Sequence, residues 1–187
     1  MTRTFCATAT LILLLAASTG FGQDGAQLLS VDHYVRVKST APGFAGHTAQ
    51  LYVREVVLPG VALRGRVASG GVVLFVHGAG TPAEVSFDVP YKDYSWMAFL
   101  AKAGYDVFSM DMTGYGRSTR PPAMNDPCNL SKEQQARFVP QLIAAPCAPS
   151  HATPITTMGS DWNDIGTVVD HLRQLRGVEK VSLVAWS

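Results

Sequence analysis

Charge is scarce in this sequence and nowhere concentrated. Only 16% of its 187 residues are Asp, Glu, Lys or Arg, the formal net charge is +1, and no Lys/Arg-rich run or basic patch with interleaved aromatics occurs. Binding to nucleic acid, which rests on many phosphate contacts, therefore has no support. Long apolar runs are also missing. The apolar stretch at residues 11–17 is far short of the roughly 20 residues that a spanning helix needs, so no stable membrane anchor is expected. No metal-ligand cluster, phosphate-binding glycine loop or dinucleotide fingerprint is present, and neither metal nor cofactor is expected. No internal repeat is visible. What remains, 47% hydrophobic residues and a mean hydropathy of +0.13, suits one globular domain.

Cysteine is almost as sparse, at three. Arg3, the apolar residues 11–17 and the small residues Ser18, Gly20 and Gly22 follow the order of a secretory signal peptide. Residues 1–22 are read as that signal, with cleavage after Ser18 or Gly22 and a periplasmic or secreted location as the consequence. No cysteine follows the apolar stretch, which argues against a lipid anchor. Cleavage removes Cys6 and leaves Cys128 and Cys147. In an oxidising compartment these allow one intramolecular bridge, two independent buried thiols being the alternative. Closing a loop of that size stabilises by about 3 kcal/mol in the chain-entropy model.

Alternation predicts strands at residues 33–38 and 49–58, with Val31, His33, Val35 and Val37 on one face of the first. Charges inside both predict a solvated face, as in antiparallel edge strands. The pattern then changes. Residues 72–76 form an unbroken apolar run, followed by His77-Gly78-Ala79-Gly80, and predict a strand buried on both faces, each large side chain worth about 1.5–3 kcal/mol. A helix follows, capped by Asp93 or Ser95, with Trp96, Met97, Phe99 and Leu100 as its apolar set and Gly104 as its stop. A strand at residues 105–110 closes on Asp111. Strand, helix, strand in this length predicts a βαβ unit and a parallel sheet.

Residues 119–157 are rich in Pro and Ala and carry one helix candidate, 130–143, with Ser131 as cap and Pro140 to bend or end it. Such a length of irregular chain is uncommon unless functional or stapled. Residues 160–177 are the clearest helix: Ser160 caps, Asp161 and Asp164 sit in the first turn, Arg173 and Arg176 in the last, all suiting the helix dipole. Trp162, Ile165, Val168, Val169, Leu172 and Leu175 form its apolar face. An apolar run at residues 181–185 then leads to Trp186 and Ser187.

The HGAG turn at 77–80, D-x-x-G-x-G-x-S at 111–118 and Ala185-Trp186-Ser187 stand on successive strand ends, in an order that resembles the N-terminal half of an α/β-hydrolase. The resemblance covers about residues 50–187. It implies an α/β fold, a mostly parallel sheet flanked by helices, as a partial domain over residues 23–187 with a cap-like excursion at 119–157. Ser187 would be the nucleophile on the elbow G-x-S-x-G, with Ala185 where glycine is usual. The Ala79 backbone N–H would form half the oxyanion hole, shaped by Gly78 and Gly80, while Trp186 would line the pocket. His77 would shape its loop rather than serve as base, and His33, His47, His151 and His171 would be surface or packing residues. Asp111, Gly114 and Gly116 would form a structural turn in which the carboxylate accepts backbone N–H groups, and Cys128 and Cys147 would be structural. Residues 81–92 and 119–157 would border the pocket and form a lid.

In the family the acid and histidine follow the serine, so the chain is expected to be a fragment truncated after the nucleophile strand. Alone it should be nearly inactive and should expose that strand as an apolar edge. The implied activity is serine hydrolysis of an ester or related small-molecule acyl substrate through an acyl-enzyme. An elbow serine, rather than aspartate, argues against haloalkane dehalogenase and epoxide hydrolase chemistry. Acyltransferase, peptidase and carbon–carbon hydrolase activities and a non-catalytic binding protein stay open on the same fold.

Overall fold

The structure is a computed structural model describing residues 27–62 and 71–186. The expected signal at 1–22, Cys6 within it, and Ser187 lie outside the described residues. The elements in chain order are β1 (Leu29–Lys38), β2 (Thr48–Val57), α1 (Pro59–Ala62), β3 (Val72–Val76), α2 (Ala83–Phe87), α3 (Trp96–Lys102), β4 (Asp106–Met110), α4 (Lys132–Phe138), α5 (Met158–Arg176) and β5 (Ser182–Ala185), with single 3-10 turns at Pro42–Phe44, Pro122–Asn125 and Pro127–Asn129.

The strands form one mixed sheet in the order β1-β2-β4-β3-β5. β1 with β2 and β2 with β4 are antiparallel, whereas β4 with β3 and β3 with β5 are parallel. Helices cover both faces, and β3 shows why its sequence is apolar throughout. Val72, Leu74 and Val76 pack with Val168 and Leu172 of α5 on one side. Val73 and Phe75 pack with Phe87 of α2 and Met97 and Ala101 of α3 on the other. A strand covered on both faces favours an apolar side chain at every position that no buried polar partner meets. At about 1.5–3 kcal/mol per large side chain, β3 is a principal contributor to the core.

Five local expectations are corrected. β2 is not an edge strand with a solvated face. It lies between β1 and β4, is buried on both sides, and its Glu55 is buried with it. The helix predicted at 130–143 spans only Lys132–Phe138; Ser131 caps it in a reciprocal capping box with Gln134, and it ends just before Pro140, whose ring cannot continue a helix. The long helix starts three residues earlier than predicted, capped by Thr157 rather than Ser160, with Ser160 at the third helical position returning the bond in a capping box. Finally, aromatic residues read as core-facing stand outside: Trp96 is 59%, Phe99 72% and Trp162 68% exposed, and Leu175 is also exposed. The buried stripe of α5 is instead Ser160, Asp164, Val168, Leu172 and Arg176. Its polar members are bonded, Ser160 to Thr157, Asp164 to buried Thr113, and Arg176 to buried Asp106 and Glu55. β1 also begins four residues earlier than predicted, its first residues exposed.

The excursion at 119–157 is organised differently. Neither apolar cluster of the sheet draws a member from it, and its buried residues are Pro121 and the amide Gln135. Cys128 and Cys147 are joined in a disulfide across 19 residues of sequence. Among the described residues, no helix is long and apolar enough to cross a membrane.

Candidate active site

Because β3, β4 and β5 are parallel and in register, the turns that follow them leave at one end of the sheet. Val76 pairs with both Met110 and Ala185, so His77, Asp111 and Trp186, each next in sequence, begin three adjacent turns. The backbone N–H of Trp186 donates to Val76 O at 3.2 Å, carrying the β3–β5 ladder one step past the strand. In open α/β sheets the carboxyl ends of the strands are where ligand crevices form.

The HGAG turn is fixed by its own histidine. His77 is buried, and the Met112 N–H donates to its Nε2 at 3.2 Å. Nε2 is therefore the unprotonated nitrogen, and Nδ1 carries the hydrogen that it donates to Gly78 O at 2.8 Å. The Tyr115 ring lies tilted over the imidazole, 4.5 Å between centroids. With its lone pair engaged and its N–H committed, His77 has no free nitrogen for proton transfer. Its effect reaches Ala79 through the peptide plane: in a trans peptide the N–H points opposite to the preceding C=O. Holding Gly78 O towards the imidazole turns the Ala79 N–H away from it, into the exposed turn. Among the described residues no acceptor takes that N–H. Gly80 has φ +95°, in the region that favours glycine.

Asp111 is the pin between the turns. Its Oδ1 accepts the Ala83 N–H at 2.8 Å and its Oδ2 the Arg117 N–H at 2.9 Å. Its own carbonyl accepts the Ser118 hydroxyl at 2.5 Å, and Ser118 Oγ in turn accepts the Tyr52 N–H at 2.8 Å. One buried carboxylate thus ties the loop after β3 to the loop after β4, leaving neither oxygen exposed enough to work as an acid. Gly116 is required by contact, since a Cβ there would lie 1.9 Å from Asp111 Oδ2. Gly114 has φ +93° and faces Met124.

Residues 71–187, more than half of the chain, match the family model described as the alpha/beta hydrolase fold. The chain belongs to that family. Solved structures with a similar fold include an epoxide hydrolase from Vigna radiata, at 20% identity and TM-score 0.41, with 82% of this chain and 30% of the other covered. A bacterial esterase aligns at 13% identity and TM-score 0.43, covering 100% of this chain and 64% of its own. The rice cell wall degrading esterase LipA from Xanthomonas oryzae aligns at 15% identity and TM-score 0.34, covering 85% and 34% respectively. The chain spans 30% of the length of the Vigna enzyme and 64% of that of the bacterial esterase.

Within this alpha/beta hydrolase chain the structure brings together the turns carrying Ala79, Asp111 and Trp186, while Ser187 lies outside the described residues. Gly78 is half-buried, whereas Ala79, Gly80 and Trp186 face solvent. Cys128 and Cys147 belong to the excursion. Of the two carboxylates that suit the helix dipole, Asp164 meets the site. Asp164 accepts the Thr113 N–H at 2.8 Å, joining α5 to the turn after β4, and burial raises its pKa against that bond. Burial and the charge of Asp164 likewise raise that of Asp161. Asp164 is legible in the i, i+4 series Ser160, Asp164, Val168 and Leu172, whose buried stripe a dipole role alone does not reveal. Among the described residues no three His, Cys, Asp or Glu side chains converge in a way that could hold a metal ion.

Proposed function

We propose that this alpha/beta hydrolase chain carries the nucleophile half of a serine hydrolase acting on an ester or related acyl substrate. Ser187, next in sequence to Trp186, is the nucleophile, and the Ala79 N–H is one oxyanion donor. Residues 1–22 are proposed as a secretion signal, 23–187 as part of the catalytic domain and 119–157 as a cap beside the pocket. The observation that carries the reading is the shared register of Val76 with Met110 and Ala185, which sets the elbow strand beside the HGAG turn. A carbonyl attacked by Ser187 would develop negative charge on its oxygen, and the Ala79 N–H, which no acceptor among the described residues takes, is the proposed donor to it. One such donor is worth about 3–4 kcal/mol of transition-state stabilisation. On this reading an acid and a histidine base follow Ser187 in the family order, the histidine taking the serine proton and returning it to the leaving alcohol. Neither His77 nor Asp111 is free for those roles.

The test uses the product of the whole open reading frame. A fluorophosphonate should label Ser187, and short-chain p-nitrophenyl esters should be hydrolysed. Ser187→Ala should abolish labelling and lower kcat by roughly 10⁴-fold or more. Retained hydrolysis in a folded Ser187→Ala protein would overturn the mechanism, and absence of both activities in the wild type would favour a binding protein on the same fold.

A further inference from the structure

We infer that the excursion is a separately locking cap: the Cys128–Cys147 disulfide and the buried Gln135 amide close it together, and a thiol reductant opens it without unfolding the sheet. Gln135 is the hub. Its Nε2 shares two hydrogens among three carbonyls, Cys128 O at 3.2 Å, Leu130 O at 2.8 Å and Cys147 O at 3.1 Å, and its Oε1 accepts the Cys147 N–H at 2.9 Å. Three of these four bonds end on the backbone of the two half-cystines. One amide can span both segments only while they are held side by side, so the covalent link and the amide support each other.

The cap has little else to hold it. No side chain of residues 119–157 belongs to either apolar cluster of the sheet, and Phe138 and Leu142 are exposed. It is fastened near its two ends, by Gly114 N–H to Thr119 O and Thr119 N–H to Gln50 O, both 2.9 Å, and by Gly43 N–H to Ile155 O at 3.0 Å. Smaller ties within it, Asp126 Oδ1 accepting from Cys128 N–H and Asn129 Oδ1 from His151 N–H, both 2.9 Å, lie at partly or fully exposed positions. A unit with few apolar contacts opens independently of the core. Breaking the cross-link lowers the closing constant of such a loop on the order of a hundredfold.

The step is ordinary thiol–disulfide exchange at half-cystines that are both partly exposed. A glutathione thiolate attacks one Sγ, the S–S bond breaks, and the other cysteine leaves as a thiolate. A second glutathione thiolate attacks the resulting mixed disulfide, and oxidised glutathione departs. The protein gains two electrons and two protons, and two glutathiones are oxidised. The excursion continues directly from the turn after β4; an effect of its opening on turnover, and that alone, rests on the hydrolase reading.

Hydrogen exchange on the full chain, with and without a glutathione reducing buffer, tests the lock without reference to activity. On reduction, exchange at the Cys128, Cys147 and His151 amides should rise at least about tenfold, while amides of β3 and β4 stay protected. Unchanged exchange in the excursion, or loss of protection in the strands to the same extent, would overturn the inference. In a glutathione titration, Gln135→Ala should shift the protein towards the dithiol by about tenfold, the worth of its lost hydrogen bonds; an unmoved equilibrium would disprove the coupling. Should Gln135→Ala not fold, a Cys128→Ser, Cys147→Ser double variant must reproduce the exchange pattern of the reduced wild type, and a fully protected cap there would sink the proposal.

Discussion

The two ends of the sheet bury carboxylates by opposite means. At the carboxyl end of the parallel strands, Asp111 is satisfied by neutral backbone donors from two different loops, Ala83 N–H and Arg117 N–H. At the amino end of β4, Asp106 and Glu55 are held by ions. Arg176 Nε donates to Asp106 Oδ2 at 2.5 Å, its Nη2 to Glu55 Oε1 at 2.6 Å, and His33 Nε2 stands 2.7 Å from Glu55 Oε2. Asp106 Oδ1 has no partner among the described residues. Backbone donors fix where loops go, which suits turns that must present an N–H. A side-chain cation fixes only charge balance, so that end depends on Arg176 staying in place and on the protons around it.

The largest test of that contrast is Arg176→Ala. It leaves two buried carboxylates without their cation, and breaking a buried pair by removing one partner costs about 3–5 kcal/mol. Urea unfolding should show the loss directly. If the change cost only about 0.5 kcal/mol, as for an exposed residue, the amino end would not be held by charge.

The second test is pH. Burial, together with the charge of Glu55, pushes Asp106 up to about 6 in spite of Arg176. The unfolded chain releases that proton near 3.8, so between the two values the native state binds more proton than the unfolded state. Its contribution to stability is full below about pH 4 and lost as pH rises to about 6, at most about 3 kcal/mol in total. Glu55 is held below its usual value by His33 and Arg176 against its own burial, and so acts in the opposite sense, losing stability as pH falls below about 4.5. Urea midpoints across this range should decline from about pH 4 to 6 in the wild type, and Asp106→Asn should flatten the decline. A wild-type stability that rises through the same window would refute the assignment.

These ends also differ in how far the sequence disclosed them. The HGAG turn, the Asp111 turn and the β3 run were legible because each is a local pattern: glycines at fixed offsets, or an unbroken apolar stretch whose covering is implied by its composition. Glu55, Asp106 and Arg176 lie 51 and 70 residues apart along the chain, and only the order β2-β4-β3 brings the strands together under α5. Seen locally, Arg176 suits the dipole of a helix end and Glu55 suits an alternating strand. A faint signal existed, since Glu55 and Asp106 each adjoin pairs of residues as apolar as Val56-Val57 and Val107-Phe108. Trp96 and Phe99 were misplaced for a related reason. Helical spacing identifies a stripe, but not whether the stripe meets the sheet; α3 turns Met97 and Ala101 inward, leaving both aromatics beside a cavity of about 460 Å³ with Phe75 and Val184.

The smallest expected effect probes the backbone-held end alone. An alanine at position 116 would place Cβ 1.9 Å from Asp111 Oδ2 and 2.5 Å from Cγ, at φ +45°. The carboxylate cannot swing clear, because its other oxygen is fixed on Ala83 N–H in a buried setting. Gly116→Ala should therefore cost about 2–3 kcal/mol, combining left-handed backbone strain of about 1 kcal/mol with displacement of a charge-assisted bond. At Gly114 the added Cβ meets only the Met124 side-chain tip, at 2.6 Å from Cε, which can move aside. Gly114→Ala should then cost the backbone strain and little more. The decisive comparison is a double-mutant cycle: with Asp111→Ala already made, Gly116→Ala should fall to the level of Gly114→Ala, because the atom it strikes is gone. If the Gly116 penalty were unchanged in that background, it would belong to the backbone alone, and Asp111 would not be the pin between the two turns.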